Sequence, residues 1–190
     1  MEALKEKIIA DGVAIGTEIV KVDSFLNHQI DVSFLDEIGQ EFARRFEACG
    51  VTKILTVEAS GIAIACMAAR HLGNIPVLFA KKTAPNTMTE EFYGAEVKSF
   101  TKGTTSVVRV SKKYLSSEDR ILILDDFLAH GEAALGMAEL VEQAGAVLIG
   151  VGAVIEKQFQ GGGKRLREKG FRVESLAVIE SIRDGKISFL

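Results

Sequence analysis

The stretch Arg120-Ile121-Leu122-Ile123-Leu124-Asp125-Asp126-Phe127-Leu128-Ala129-His130-Gly131-Glu132-Ala133 constrains the fold more than any other part of the chain. Four consecutive aliphatics, Ile121 to Leu124, show no polar alternation, so they read as a strand buried on both faces, as in a parallel sheet covered by helices. The small residues after Leu128 open a helix that runs to about Ala144. A helix mouth offers unpaired N–H groups and the positive end of the macrodipole. Ala129, His130, Gly131, Glu132 and Ala133 are therefore candidates to surround a phosphate, and Asp125 and Asp126 can grip the hydroxyls of an adjoining sugar. An apolar strand ending in two acids also serves P-loop ATPases, but no G-x-x-x-x-G-K-[ST] occurs here. The acids alone would equally suit a solvated strand end; the small loop that follows favours the ligand.

The remaining pattern alternates helix and strand. Glu2 to Asp11 has helical spacing with Gly12 as a stop. Ser33 reads as the cap of a second helix whose Phe34, Leu35, Ile38, Phe42 and Phe46 share one face before Gly50. Lys53 to Val57 is a strand, Gly61 to Leu72 a helix, Ile75 to Phe79 a strand, Gly131 to Ala144 a helix and Val147 to Ile155 a strand. Such units predict an α/β fold: a parallel sheet flanked by helices, with right-handed crossovers. The pattern lapses between Ala80 and Thr105, where a polar, turn-rich stretch precedes a hairpin from Ala95 to Val110 turning near Lys102-Gly103. Arg172 to Ile179 and Lys186 to Phe189 read as late strands around Asp184-Gly185. Gly161-Gly162-Gly163-Lys164-Arg165 is either a connector ahead of a short helix or a second anion contact.

With 190 residues, 47% hydrophobic content and two prolines, the chain can fill one core and form one domain spanning 1–190. A net charge of −3 leaves no broad cationic surface for nucleic acid. Cys49 and Cys66 have no metal-ligand spacing. The longest apolar stretch, Ala146 to Ile155, is far below the ~20 residues of a membrane span. The first residues are charged where a secretory signal would be apolar. A cytoplasmic location without membrane partners is expected.

The 120–133 stretch resembles the phosphoribosyl-diphosphate (PRPP) binding motif of the type I phosphoribosyltransferases, purine branch. Together with Lys21-Val22-Asp23-Ser24-Phe25-Leu26-Asn27-His28-Gln29, Glu58-Ala59-Ser60-Gly61 and Val154-Ile155-Glu156-Lys157, the likeness covers nearly the whole chain. It is closest to the bacterial members whose base is xanthine. The resemblance implies the type I fold, with a small hood from about 1–30 and the C-terminal region, and a mobile β-hairpin loop closing over the diphosphate. It implies PRPP and xanthine as substrates, Mg2+ carried with PRPP, and a homodimer.

Four loops at the carboxyl ends of strands should converge. Glu58, Ala59, Ser60 and Gly61 join strand to helix with small residues, so amides can approach a diphosphate; a tight turn would need the same residues. Lys81 and Lys82 stand where the resembling enzymes carry basic residues that reach a diphosphate, in several relatives that of the neighbouring subunit; the sequence does not choose between them. In the third loop Ala133 lacks the hydroxyl many relatives have, and Ala129 replaces the Asp that hypoxanthine-guanine enzymes use as candidate base. That absence fits xanthine, which loses a ring proton more readily. His130 either donates to phosphate or sits exposed. Lys157 matches the donor to the exocyclic oxygen of 6-oxopurines, and Phe127 lies either under the purine ring or in the core. By the same resemblance Val20, through its backbone, and Asn27, suited to the second oxo group, contact the base. A guanine or hypoxanthine enzyme and a non-enzymatic PRPP sensor are the competing readings; the chain lacks a basic recognition helix that a regulator would add.

Overall fold

The computed structural model describes residues 1–82, 91–99 and 103–190, without the side chains of Ser99 and Thr104. The polar stretch 83–90 and Lys102 of the expected turn lie outside the described residues. In chain order the elements are α1 (Glu2–Asp11), β1 (Val13–Ile15), β2 (Ile19–Lys21), a π-helical turn (Asp23–Asn27), α2 (Val32–Phe46), β3 (Lys53–Val57), α3 (Ser60–His71) and β4 (Val77–Ala80). Then follow β5 (Phe92–Ser99), β6 (Thr104–Ser111), β7 (Arg120–Leu128), α4 (Glu132–Gln143), β8 (Val147–Lys157), α5 (Gly162–Glu168), β9 (Val173–Arg183) and β10 (Lys186–Phe189).

The aliphatic run forms the middle of a six-stranded sheet ordered β10-β9-β8-β7-β3-β4, parallel except for β10. Strand geometry sends successive side chains to opposite faces. Leu122 and Leu124 accordingly join Ile54, Ile64 of α3 and Phe42 of α2 in one core, while Ile121 and Ile123 join Leu55 and Met137 and Leu140 of α4 in the other. Both faces are covered, which is why this strand needs no polar alternation. Because α3 and α4 lie on opposite faces, their openings diverge where β3 and β7 pair. A crevice forms there, at the switch point where open α/β sheets place ligands.

Two expectations need correction. Asp31, not Ser33, caps α2: its Oδ1 accepts from Phe34 N at 3.1 Å, and Lys7 holds its other oxygen at 3.2 Å. β7 does not end at Leu124 but runs to Leu128, because its ladder with β8 continues through Asp125↔Ala153 and Leu128↔Glu156. Backbone pairing does not require apolar side chains, so the hydrophobic run understates the strand. The last turn behaves as expected: Asp184 and Gly185 take φ of 49° and 72°, the doubly left-handed turn that matches the twist of a tight hairpin. The hairpin of β5 and β6 lies on α4, where Gln143 Nε2 donates to Gly94 O at 2.8 Å and Gly94 N donates back to Gln143 Oε1 at 3.3 Å. Among the described residues no helix is long and apolar enough to cross a membrane.

Candidate functional site

The carboxyl end of β7 carries Asp125 and Asp126 into a cavity of about 500 Å³ between β3, β7 and the opening of α4. Asp126 N donates to Asp125 Oδ1 at 3.0 Å, and Phe127 N donates to Asp126 Oδ1 at 2.9 Å, so both carboxylates are fixed by the strand that bears them. Burial pushes the Asp125 carboxyl well above the usual carboxylate range; the Asp126 charge beside it adds to the push, and Lys82 opposes it. The pair therefore resists carrying two negative charges, a penalty that a polyhydroxyl ligand, a cation or an oxocarbenium-like sugar would relieve.

Past Leu128 the chain turns through Ala129, His130 and Gly131, whose φ of 83° a side chain would resist, into α4. Ala129 to Ala134 line the cavity, so the first turn of α4, whose N–H groups have no partner within the helix, opens into it. His130 sits at the rim with Nδ1 3.1 Å from Gln160 O.

Opposite lies the loop after β3. Glu58, Ala59 and Ser60 line the cavity, and the Glu58–Ala59 peptide bond is cis. Gly61 sits beneath the wall: a Cβ there would overlap the Thr56 hydroxyl and stand 3.4 Å from Asp125 Oδ1. Glu58 Oε1 accepts from Lys82 N at 2.6 Å, tying this loop to the one after β4. The two lysines separate here. Lys82 lines the cavity, whereas the Lys81 backbone bridges to Arg109 and its ammonium lies 6.0 Å from the centre of the Phe79 ring, outside the wall.

Of the expected base contacts only Phe127 lines the cavity; Lys157 stands beside its ring and Asn27 beside Asp126, while Val20 is not among the lining residues. Lys157 Nζ stands 5.3 Å from the centre of its ring and donates to Glu18 O at 2.8 Å, in the turn between β1 and β2. Burial lowers the Lys157 pKa, and the Glu18 charge opposes that shift. Asn27, at the end of the π-helical turn, donates through Nδ2 to Asp126 Oδ2 at 3.3 Å, while its buried Oδ1 has no hydrogen-bond partner among the described residues. Val20 is buried in β2 opposite Ala14, with only its backbone available to a ligand. Phe127 is half-buried: it lines the cavity and also packs against the core.

A hairpin near the site was expected, but sequence reasoning named none of the residues that it and β8 bring to the wall. Val97 and Lys98 of β5 and Ser106 and Val108 of β6 line the cavity, as do Val151, Gly152 and Ala153 of β8. The hairpin approaches because Gly136 leaves room on α4: a Cβ there would stand 2.5 Å from Val97 Cγ2. A glycine inside an otherwise regular helix was the available signal.

No protein-family model matches the chain. The chain is 59% identical over 189 residues to a xanthine phosphoribosyltransferase of Ruminiclostridium cellulolyticum, covering 100% of this chain and 99% of the relative. It is 54% identical to a xanthine phosphoribosyltransferase of Clostridioides difficile, covering 100% of both. Among solved structures, an adenine phosphoribosyltransferase of Rhodothermus marinus is similar with a TM-score of 0.74 at 20% identity, covering 94% of this chain and 100% of that one. At that identity the likeness concerns the fold alone.

Proposed function

Because the chain belongs to the xanthine phosphoribosyltransferase family, we propose that it transfers the 5-phosphoribosyl group of PRPP to xanthine, giving xanthosine 5′-monophosphate and diphosphate in purine salvage. The observation that carries the proposal is the convergence on one cavity of paired carboxylates, a helix mouth and the small loop after β3. Sugar, 5′-phosphate and diphosphate each have a chemically suited wall there. Asp125 and Asp126 take the ribose hydroxyls, the amides of Ala129 to Ala133 take the 5′-phosphate, and Glu58 to Gly61 with Lys82 take the diphosphate.

The reaction is displacement at the anomeric carbon by a purine ring nitrogen, with inversion, through an oxocarbenium-like transition state. Charge on the departing diphosphate is the main obstacle, and fixed donors aimed at it lower the barrier. The donor set suits Mg2+, which is ordinarily held by one or two carboxylates plus substrate phosphates; carried by PRPP, it would neutralise the leaving group beside Asp125 and Asp126. The acids also ease positive charge on the sugar as the bond breaks. Loss of one such contact raises the barrier by about 3 kcal/mol.

Base choice rests on Lys157, Phe127 and Asn27. An ammonium over the ring edge donates to a 6-oxo group and meets only a donor on adenine, a mismatch that polar-reading sites reject strongly. The unpartnered Asn27 Oδ1 suits a ring N–H of xanthine, while its Nδ2 shares reach between Asp126 and the second oxo group. Ala129 supplies no proton acceptor, which favours xanthine over hypoxanthine and guanine. The enzyme acts in the cytoplasm as a homodimer; Lys81, outside its own cavity, is suited to a neighbour's diphosphate. Diphosphate release followed with Mg2+, PRPP and each of xanthine, guanine, hypoxanthine and adenine tests the whole reading. Turnover fastest with xanthine and absent with adenine is expected. No release with any base would overturn it in favour of a PRPP-sensing regulator.

A further inference from the structure

The triple-glycine segment opens the short helix α5 and, without lining the cavity, packs as a buttress behind the loop 129–131. Gly162 N donates to Ala129 O at 3.0 Å. A Cβ on Gly162 would overlap that carbonyl oxygen and stand 2.6 Å from both Gly131 N and His130 C, so only glycine fits. Gln160 O meets His130 Nδ1, and Arg165 Nη1 reaches His130 O at 3.4 Å while pairing with the Glu132 carboxylate. The buttress is itself anchored. Gly163 packs against Glu156, whose carboxylate receives Arg167 Nη1 and Nη2 at 2.9 Å each and the Ser175 hydroxyl.

Glu132 poses an electrostatic problem that Arg165 answers. It is the first residue of α4 and lines the cavity, so its carboxylate stands where the helix mouth should receive an anion. An unpaired carboxylate there would compete for the free N–H groups and repel a phosphate dianion. The Glu132 side chain is only 18% exposed, so water screens it poorly. We propose that Arg165 is a positioning residue for the 5′-phosphate: by holding and neutralising Glu132 and bracing the His130 carbonyl, it leaves the mouth of α4 to the ligand. This rests on the assignment of PRPP as substrate.

The test is steady-state kinetics of the full chain, with PRPP and xanthine varied separately, for wild type, Arg165→Ala, Glu132→Gln and the double variant. Arg165→Ala should raise KM for PRPP roughly tenfold while leaving kcat and KM for xanthine within about twofold, the signature of lost ground-state binding. The defect should shrink in about 0.5 M salt, where the Debye length falls to a few ångströms. Adding Glu132→Gln should recover most of the lost affinity, because the charge that Arg165 masks is gone. An unchanged KM for PRPP, a parallel loss in kcat and both KM values, or no recovery in the double variant would overturn the proposal. Should Arg165→Ala fail to fold, Glu132→Gln alone decides: a KM for PRPP below wild type supports the masking role, and an unchanged or raised one defeats it. Inactive wild type would instead defeat the functional assignment, so the two failures are distinguishable.

Discussion

Thr56 is fully buried at the end of β3, and its hydroxyl, without a hydrogen-bond partner among the described residues, lies directly under the Cα of Gly61. Gly61→Ala would press a methyl group into that hydroxyl and toward Asp125. Overpacking of this kind costs about 2 kcal/mol, so thermal unfolding should show Tm lowered by roughly 4–8 °C. Activity should fall further than stability, because the displaced atoms include the carboxylate proposed to hold the sugar. Asp125 gives the opposite result. Its pKa is raised by burial, so its favourable, protonated form is fully present below the ordinary carboxylate range and is lost as pH rises through the folded value. Asp125→Asn removes that penalty. Its stability relative to wild type should increase with pH between pH 4 and pH 8 in urea titrations, while turnover falls about a hundredfold. A pH-independent difference would show that the buried charge is not the cause.

At the level of elements, β8 and α5 connect the two ends of the site. Burial pushes the Glu156 carboxyl up, but hydrogen bonds from Arg167 and Ser175 outweigh it and hold the group below its ordinary range. The pair therefore contributes stability above the ordinary carboxylate pKa and loses it as pH falls through the lower, folded one. Arg167→Ala reverses the sign by leaving a buried carboxylate unpaired. Denaturant curves should show about 3 kcal/mol of destabilisation near pH 8 and clearly less near pH 5, where the orphaned group can take up a proton. Much of this scaffold was legible in the sequence, because Ile121 to Leu124 and the apolar face of α2 announce burial through spacing alone. What escaped depends on contacts between distant segments. Gly162 sits 31 residues after Gly131 yet shapes the same loop, and no local pattern records that neighbourhood. The Lys81 and Lys82 pair is ambiguous for the same reason: only the fold around the cavity shows that Lys82 lines it and Lys81 does not.

For the molecule as a whole, ligand binding should report on the entire sheet, since the cavity is assembled from β3, β7, β8, α4 and the β5–β6 hairpin. PRPP with Mg2+ at about a hundred times its Kd should stabilise the fold by about 2.7 kcal/mol and raise Tm by roughly 5–11 °C in calorimetry. Sedimentation should give a particle of two chains, and Lys81→Ala should reduce turnover without changing that size. Among the described contacts, the ten-residue course from Glu156 to Arg165 sets Lys157 over the Phe127 ring and, at its far end, props the loop 129–131 proposed to hold the 5′-phosphate. In the proposed reading xanthine would meet only the first of these and PRPP only the second, whereas the finished mononucleotide would fasten to both like a rod between two jaws. If the proposed contacts hold, departure of the nucleotide rather than bond exchange sets the pace, and rapid mixing should then reveal a burst of diphosphate before steady turnover.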